Sequence, residues 1–143
     1  MNKGQYFTLE QMLLFTIGIV MTVTIYFSLV TVNESVKGVA EEDQMYEIGK
    51  LISSQISRAY NTPNEVTLFF NIPKKISGKG YKIYVENEGT EYNLTVELYN
   101  VTMSRKEINI PLNSEYQASG MLFSSSGRVI VTKRNDVITI GRF

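Results

Sequence analysis

Met12-Leu-Leu-Phe-Thr-Ile-Gly-Ile-Val-Met-Thr-Val-Thr-Ile-Tyr-Phe-Ser-Leu-Val-Thr-Val32 contains no charged residue. A bilayer core of about 30 Å is crossed by about 20 apolar residues, each rising 1.5 Å in a helix. This run has that length and composition. The rest of the chain is too short to wrap such a helix on all sides as a buried core element. A cleaved secretory signal would have a shorter apolar region ending in a small-x-small site, and neither feature is found near Val32. The run therefore reads as a retained transmembrane helix. It leaves room for one modest domain in the remainder of the 143 residues.

The charges on either side of the run set its orientation. Lys3 and the initiator amine precede it; Glu34, Glu41, Glu42 and Asp43 follow, offset only by Lys37. The positive-inside tendency keeps the short N-terminus cytoplasmic and exports the larger part. Three sequons, at Asn33, Asn93 and Asn100, agree with export and are candidate glycosylation sites.

Composition narrows the chemistry. Net charge is zero, so no broad basic field attracts nucleic acid. There is no cysteine and no histidine. That removes disulfides, thiolate metal sites, a thiol nucleophile and the commonest general base near neutral pH. Gly78-Lys79-Gly80 lacks the flanking residues of a phosphate loop, and Ser124-Ser125-Ser126-Gly127 has no base beside it. The expectation is a protein that is not an enzyme, with no cofactor and no metal.

Ahead of the run stand Lys3-Gly4-Gln5 and then Glu10. Together with the unbroken apolar stretch, they resemble the class III (prepilin) signal peptide of archaeal type IV pilin-like proteins, over about the first thirty residues. The resemblance implies that a membrane prepilin peptidase recognises Lys3, cuts between Gly4 and Gln5 on the cytoplasmic side, and leaves the apolar helix on the mature protein. The family places an acidic residue fifth in the mature chain. Glu10 is sixth counted from Gln5 and fifth counted from Tyr6, so the register allows a cut one residue later. The resemblance also implies that Glu10 meets the N-terminal amine of a neighbouring pilin-like subunit in an apolar filament core. The plainer alternative places Glu10 at the headgroup level, solvated by water. Thr8 and Gln11 fit a capping box that would start the helix at Leu9. Gly18 and Thr22 form a small-xxx-small pair of the kind that lets helices approach in lipid.

From Glu34 to about Tyr60 apolar residues recur at Val36, Val39, Ala40, Met45, Ile48, Leu51, Ile52, Ile56 and Ala59, mostly at steps of three and four. The spacing predicts an amphipathic helix that ends at Asn61-Thr62-Pro63-Asn64, with Gly38 and Gly49 as bends. If it is continuous with the span, the helix runs for about fifty residues, or about 75 Å. Glu41-Glu42-Asp43 reads as a solvated face.

Strand patterning follows. Glu65–Pro73 ends at proline, and Tyr81–Glu86 and Tyr92–Tyr99 alternate; Val101–Pro111 reads as a further strand with Ile108 and Ile110 facing in, and Arg128–Lys133 turns through Arg134-Asn135-Asp136 into Val137–Gly141 as a second hairpin. Asn93 and Thr95 fall on the polar side of the second hairpin strand. Phe69, Phe70, Tyr81, Tyr84 and Tyr92 read as core and cross-strand residues. Lys74, Lys75, Lys79 and Lys82 read as protection of a sheet edge.

The fold class expected is α+β: a long N-terminal helix, transmembrane then amphipathic, packed on a small antiparallel β-sheet domain, pilin-like. The organisation expected is a leader over 1–4, a transmembrane helix over 5–32, an amphipathic helix over 33–62 and an extracytoplasmic β-rich domain over 63–143. The function implied is a pilin-like structural subunit, a minor pilin or pseudopilin, whose partners are the membrane, the prepilin peptidase and other pilin-like subunits. The alternative is a single-span anchor carrying an extracytoplasmic binding or sensory module.

Overall fold

A computed structural model describes residues 3–89, 91–99, 106–113 and 115–142; the side chains of residues 3–6 and 88 are outside that description. The architecture is α+β. One helix, α1, spans Lys3–Tyr60, 58 residues. Seven strands follow: β1 Val66–Asn71, β2 Tyr81–Glu88, β3 Glu91–Leu98, β4 Lys106–Pro111, β5 Gln117–Phe123, β6 Arg128–Arg134 and β7 Val137–Arg142. They form a single sheet in the order β1-β6-β7-β5-β2-β3-β4. The chain divides into two compact units, residues up to Val39 and residues from Ala40.

The helix begins before the expected capping box. Thr8 lies inside it, because Lys3 to Glu10 contains no proline to break an earlier start. It ends at Tyr60, where Asn61-Thr62-Pro63-Asn64 turns the chain out.

In the second unit the helix lays Met45, Ile48, Ile52, Ile56 and Ala59 on one face of the sheet. The sheet answers with Tyr81, Ile83, Leu94, Val96, Leu98, Val129, Val131, Ile138 and Ile140, all buried. This is a two-layer packing in which one stripe of the helix and one face of the sheet share a core. Gly49 is a close-contact position. A methyl group added there would collide with Ile110 Cδ1 and lie 3.4 Å from Val96 Cγ2, so the glycine lets the helix backbone settle onto β3 and β4.

Strand β5 carries no alternation legible in the sequence. Its inward residues are Ala118, Gly120 and Leu122, while the larger Met121 and Phe123 face outward and are exposed. It also runs parallel to β7, pairing Gln117 with Val137 and Ser119 with Thr139, so the sheet is not wholly antiparallel. Gly120 has φ 127°, and a Cβ there would meet the backbone of Ile140 within 2.9 Å. Only glycine permits this approach of β5 to β7. The β6–β7 hairpin turns through Asn135 and Asp136, both at positive φ, the conformation that suits a two-residue hairpin.

The outward face of β3 is less open than alternation implies. Thr95 and Glu97 are buried along with their inward neighbours. Thr95 Oγ1 donates to Asn109 Oδ1 at 2.8 Å, and Lys82 Nζ pairs with Glu97 Oε2 at 2.7 Å. Lys82 also lies 4.6 Å from the Tyr84 ring. Because β2 is an interior strand, Lys82 protects no edge; it neutralises a buried carboxylate. Lys79 Nζ reaches Glu41 Oε1 at 2.7 Å, and Lys106 Nζ lies 3.6 Å from Glu42 Oε2. The acidic run is therefore partly engaged by the sheet domain instead of being solvated throughout.

Candidate functional site

The N-terminal unit offers its surface as the site. Among the described residues, one helix is long and apolar enough to cross a membrane, and its most apolar window has no buried residue. Phe7, Leu9, Met12, Leu13, Leu14 and Phe15 are exposed, as are the large apolar side chains that continue to Val32. Glu10 is the one charged side chain between Phe7 and Val32, and it is exposed too.

The hydroxyls in this stretch are satisfied by the helix itself. Thr16 Oγ1 donates to the Met12 carbonyl, Thr22 Oγ1 to Gly18 and Thr24 Oγ1 to Val20, each at 2.8 Å. Ser28 Oγ donates to Thr24 at 2.9 Å, Thr31 Oγ1 to Phe27 and Ser35 Oγ to Thr31 at 3.0 Å. Every serine and threonine from Thr16 to Ser35 thus bonds to a carbonyl four residues back. In hydrocarbon no water is available, so internal bonding removes the penalty of a bare polar group. Thr24, Ser28, Thr31 and Ser35 share one helical face, and the spacing puts Ile17 and Glu10 on it as well.

The other residues singled out in the sequence do not converge. Lys3, Gly4 and Gln5 belong to the first turns of α1, and their side chains lie outside the described set. Asn33 is exposed on the helix. Asn93 is half-buried in β3, with the hydroxyl of its sequon residue Thr95 engaged by Asn109. Asn100 lies outside the described residues. Thr22 and Gly18 meet through the hydroxyl bond above.

A second cluster, at the end of α1, was not foreseen. Lys133 sits in the inward phase of β6 after Val129 and Val131, and it is buried. Its ammonium donates to the carbonyls of Tyr60 and Thr62, both at 2.9 Å, and lies 5.4 Å from the Tyr60 ring. The Tyr60 ring packs on Tyr116 at 4.3 Å, and Tyr116 Oη lies 3.2 Å from Ser57 Oγ. A helix C-terminus leaves carbonyls without partners and carries partial negative charge; an ammonium aimed there answers both. The signal in the sequence was a lysine interrupting the apolar phase of a strand.

Elsewhere burial pushes the Tyr81 hydroxyl far above its ordinary range, and that hydroxyl donates to the Pro73 carbonyl. The hydrogen bond to Glu97 raises the Lys82 ammonium. Among the described residues no group of three acidic, cysteine or histidine side chains could hold a metal. The surface groove beside Ser125 and Ser126 is lined by Met121, Phe123 and Arg142, which supply no base for a nucleophile. No protein family, curated protein or solved structure matches this chain.

Proposed function

We propose that this chain is a type IV pilin-like structural subunit, held in the membrane before it is inserted into a surface filament or secretion platform. One observation carries the reading: an exposed apolar helical segment from Phe7 to Val32, its hydroxyls from Thr16 onward bonded internally, lies in the same helix whose later turns pack on the sheet domain. A simple anchor needs the first half of that helix. It does not need the second half to be the spine of the folded domain, and a filament subunit does.

Lys3, Gly4 and Gln5 form the leader and cleavage site on this reading, with the cut after Gly4 or after Gln5. Glu10 then lies within two turns of a new N-terminal amine. A carboxylate inside a bilayer or an apolar filament core costs about 3 kcal/mol if left unpaired. The amine of an adjacent subunit would cancel the charge on both groups. The sheet domain lies outside the cytoplasmic membrane in this scheme, and the exposed Asn33 on α1 is the sequon most open to modification. Fractionation tests it: the chain should be recovered in sheared surface material with its helix attached. Retention wholly with membranes would favour the anchored binding module instead.

A further inference from the structure

The sheet ends in two edge strands, β1 and β4, and they are finished differently. Next to β1, the Ile72 amide donates to the Gly127 carbonyl at 3.1 Å, one step past the Asn71–Arg128 pair. In an antiparallel ladder the pairs that exchange hydrogen bonds alternate. Val66, Leu68 and Phe70 therefore bond to β6, and Thr67, Phe69 and Asn71 direct their backbone groups away from it. The same argument holds for β4, where the Leu112 amide donates to the Tyr92 carbonyl at 2.8 Å, one step past the Asn93–Pro111 pair. There the residues directed away from the ladder are Glu107, Asn109 and Pro111. Charge, and a proline without an N–H, are common ways of blocking an edge. Strand β1 has neither: Val66-Thr67-Leu68-Phe69-Phe70-Asn71 is uncharged and free of proline, and Glu65, Lys74 and Lys75 stand beyond its ends. Among the described residues, β6 is the one strand that pairs with β1. The core is also less covered there. Val66, Leu68 and Phe70 point inward but are half-buried, whereas Val129, Val131, Ile138 and Ile140 on β6 and β7 are buried. Phe69 is exposed on the opposite face.

An open ladder of this kind accepts an extended strand, and β1 fits a second copy of itself. About a twofold axis at Phe69, Thr67 of each copy falls opposite Asn71 of the other. Both are residues directed away from β6, so each pair can exchange both of its N–H···O bonds. On the inward side Leu68 comes opposite Phe70 of the second copy, and Val66 opposite Ile72, in the closely spaced pairs of the ladder. The half-buried side chains of β1 thereby gain a cover. The antiparallel sense also suits the charges. It brings Glu65 at one end of the strand toward Lys74 and Lys75 at the other, with Arg134 one strand further from the edge than Glu65. A parallel pairing would set Glu65 beside Glu65 and lysine beside lysine. Strand β4 is the poorer partner, because Pro111 has no donor to offer. We propose that the edge of β1 is a dimer interface, at which two copies pair antiparallel through Val66–Asn71 and join their sheets into one. The contact uses the same patch on both copies and closes at two. The axis stands normal to the sheet, so the stretches of α1 that pack on the two sheets run in opposite directions. The inference does not depend on the pilin-like reading, since an anchored module could carry the same edge.

The test uses the full-length chain in an uncharged detergent, which covers the apolar helix, with association measured by sedimentation over a dilution series. The wild-type chain should form a dimer and nothing larger. Asn71→Pro gives β1 the block that β4 carries at Pro111. It removes a donor directed away from β6 and spares the β1–β6 ladder. It should weaken the dimer at least about tenfold, because the axis repeats the loss in both copies. Phe69→Lys should weaken it likewise by setting two ammonium groups against each other, and so should Phe69→Glu with two carboxylates. Mixing Phe69→Lys with Phe69→Glu should restore the dimer. Restoration shows that both variants are folded, and it identifies the register, because a pair centred on position 69 brings those two side chains together. The proposal is overturned if the wild-type chain stays monomeric across the series or grows beyond two copies. It is overturned equally if Asn71→Pro, with unchanged circular dichroism, leaves the dimer intact, or if Phe69→Lys and Phe69→Glu fail to recover on mixing. A dimer indifferent to all three changes also overturns it, because the copies would then be meeting elsewhere.

Discussion

Ile110 of β4 lies directly against the backbone of α1 at Gly49, so closely that a β-carbon at that position would overlap its Cδ1 atom. The contact fixes how near the helix approaches the sheet. The nearest side-chain atom belongs to a residue 61 positions further along the chain, so the demand for glycine is a tertiary one.

Gly49→Ala should destabilise the folded domain by about 1–3 kcal/mol, because an added methyl in a packed core forces displacement. On propensity alone the same change would stabilise a helix by up to about 1 kcal/mol, so the sign separates the two accounts. Ile110→Val alone should cost about 1 kcal/mol. In the double variant the two penalties should partly cancel, and chemical denaturation of all four proteins gives the coupling.

Lys133→Met keeps the aliphatic stem and removes the ammonium that serves the Tyr60 and Thr62 carbonyls. The expected loss is about 1–3 kcal/mol, the penalty of leaving buried acceptors without a donor. Hydrogen exchange should show the change concentrated in the last turn of α1, at the amides of Ser57 to Tyr60, beyond the global loss.

Alkaline pH should unfold the domain. Lys82 is raised first by its hydrogen bond to Glu97, and Tyr81 and Tyr84 are raised first by burial. In each case the folded state holds its proton more tightly than the unfolded chain. The stabilisation is complete below the unfolded values, 10.0 for the tyrosines and 10.5 for the lysine, and is lost as pH climbs from there through the folded values. Denaturant midpoints should therefore hold up to about pH 9 and fall above pH 10. Tyr81→Phe should flatten part of that fall, read alongside tyrosinate absorbance.

A chain starting at Ala40 retains the whole second compact unit, including the part of α1 that packs on the sheet. It should lose membrane retention in flotation while keeping the circular dichroism of the folded sheet. Persistent flotation would mean that something other than the Phe7–Val32 surface holds the protein to lipid.

The legible parts of the sequence were those where one local period governs. The charge-free run, the three-and-four spacing from Met45 to Ala59, the alternation of β2 and β3 and the Arg134-Asn135-Asp136 turn between β6 and β7 each announce an element without help from the rest of the chain. Strand β5 escaped because Met121 and Phe123 occupy its outward positions and Gly120 its inward one. That inverts the alternation by which a strand is recognised. The ion pairs from Glu41 to Lys79 and from Lys82 to Glu97 escaped because topology alone brings them together. The same holds for the end of α1, where Lys133 reaches back 73 residues to Tyr60. At the N-terminus the surface chemistry is readable directly, since a run of apolar residues long enough to cross a membrane is visible without any folded partner.

The intact mass of the protein recovered from sheared surface material bears most directly on the pilin-like account. That account requires a chain that has lost its first four or five residues and kept the helix from Phe7 onward. A mass that includes Met1 through Gly4, or a fragment lacking the apolar helix, would contradict it.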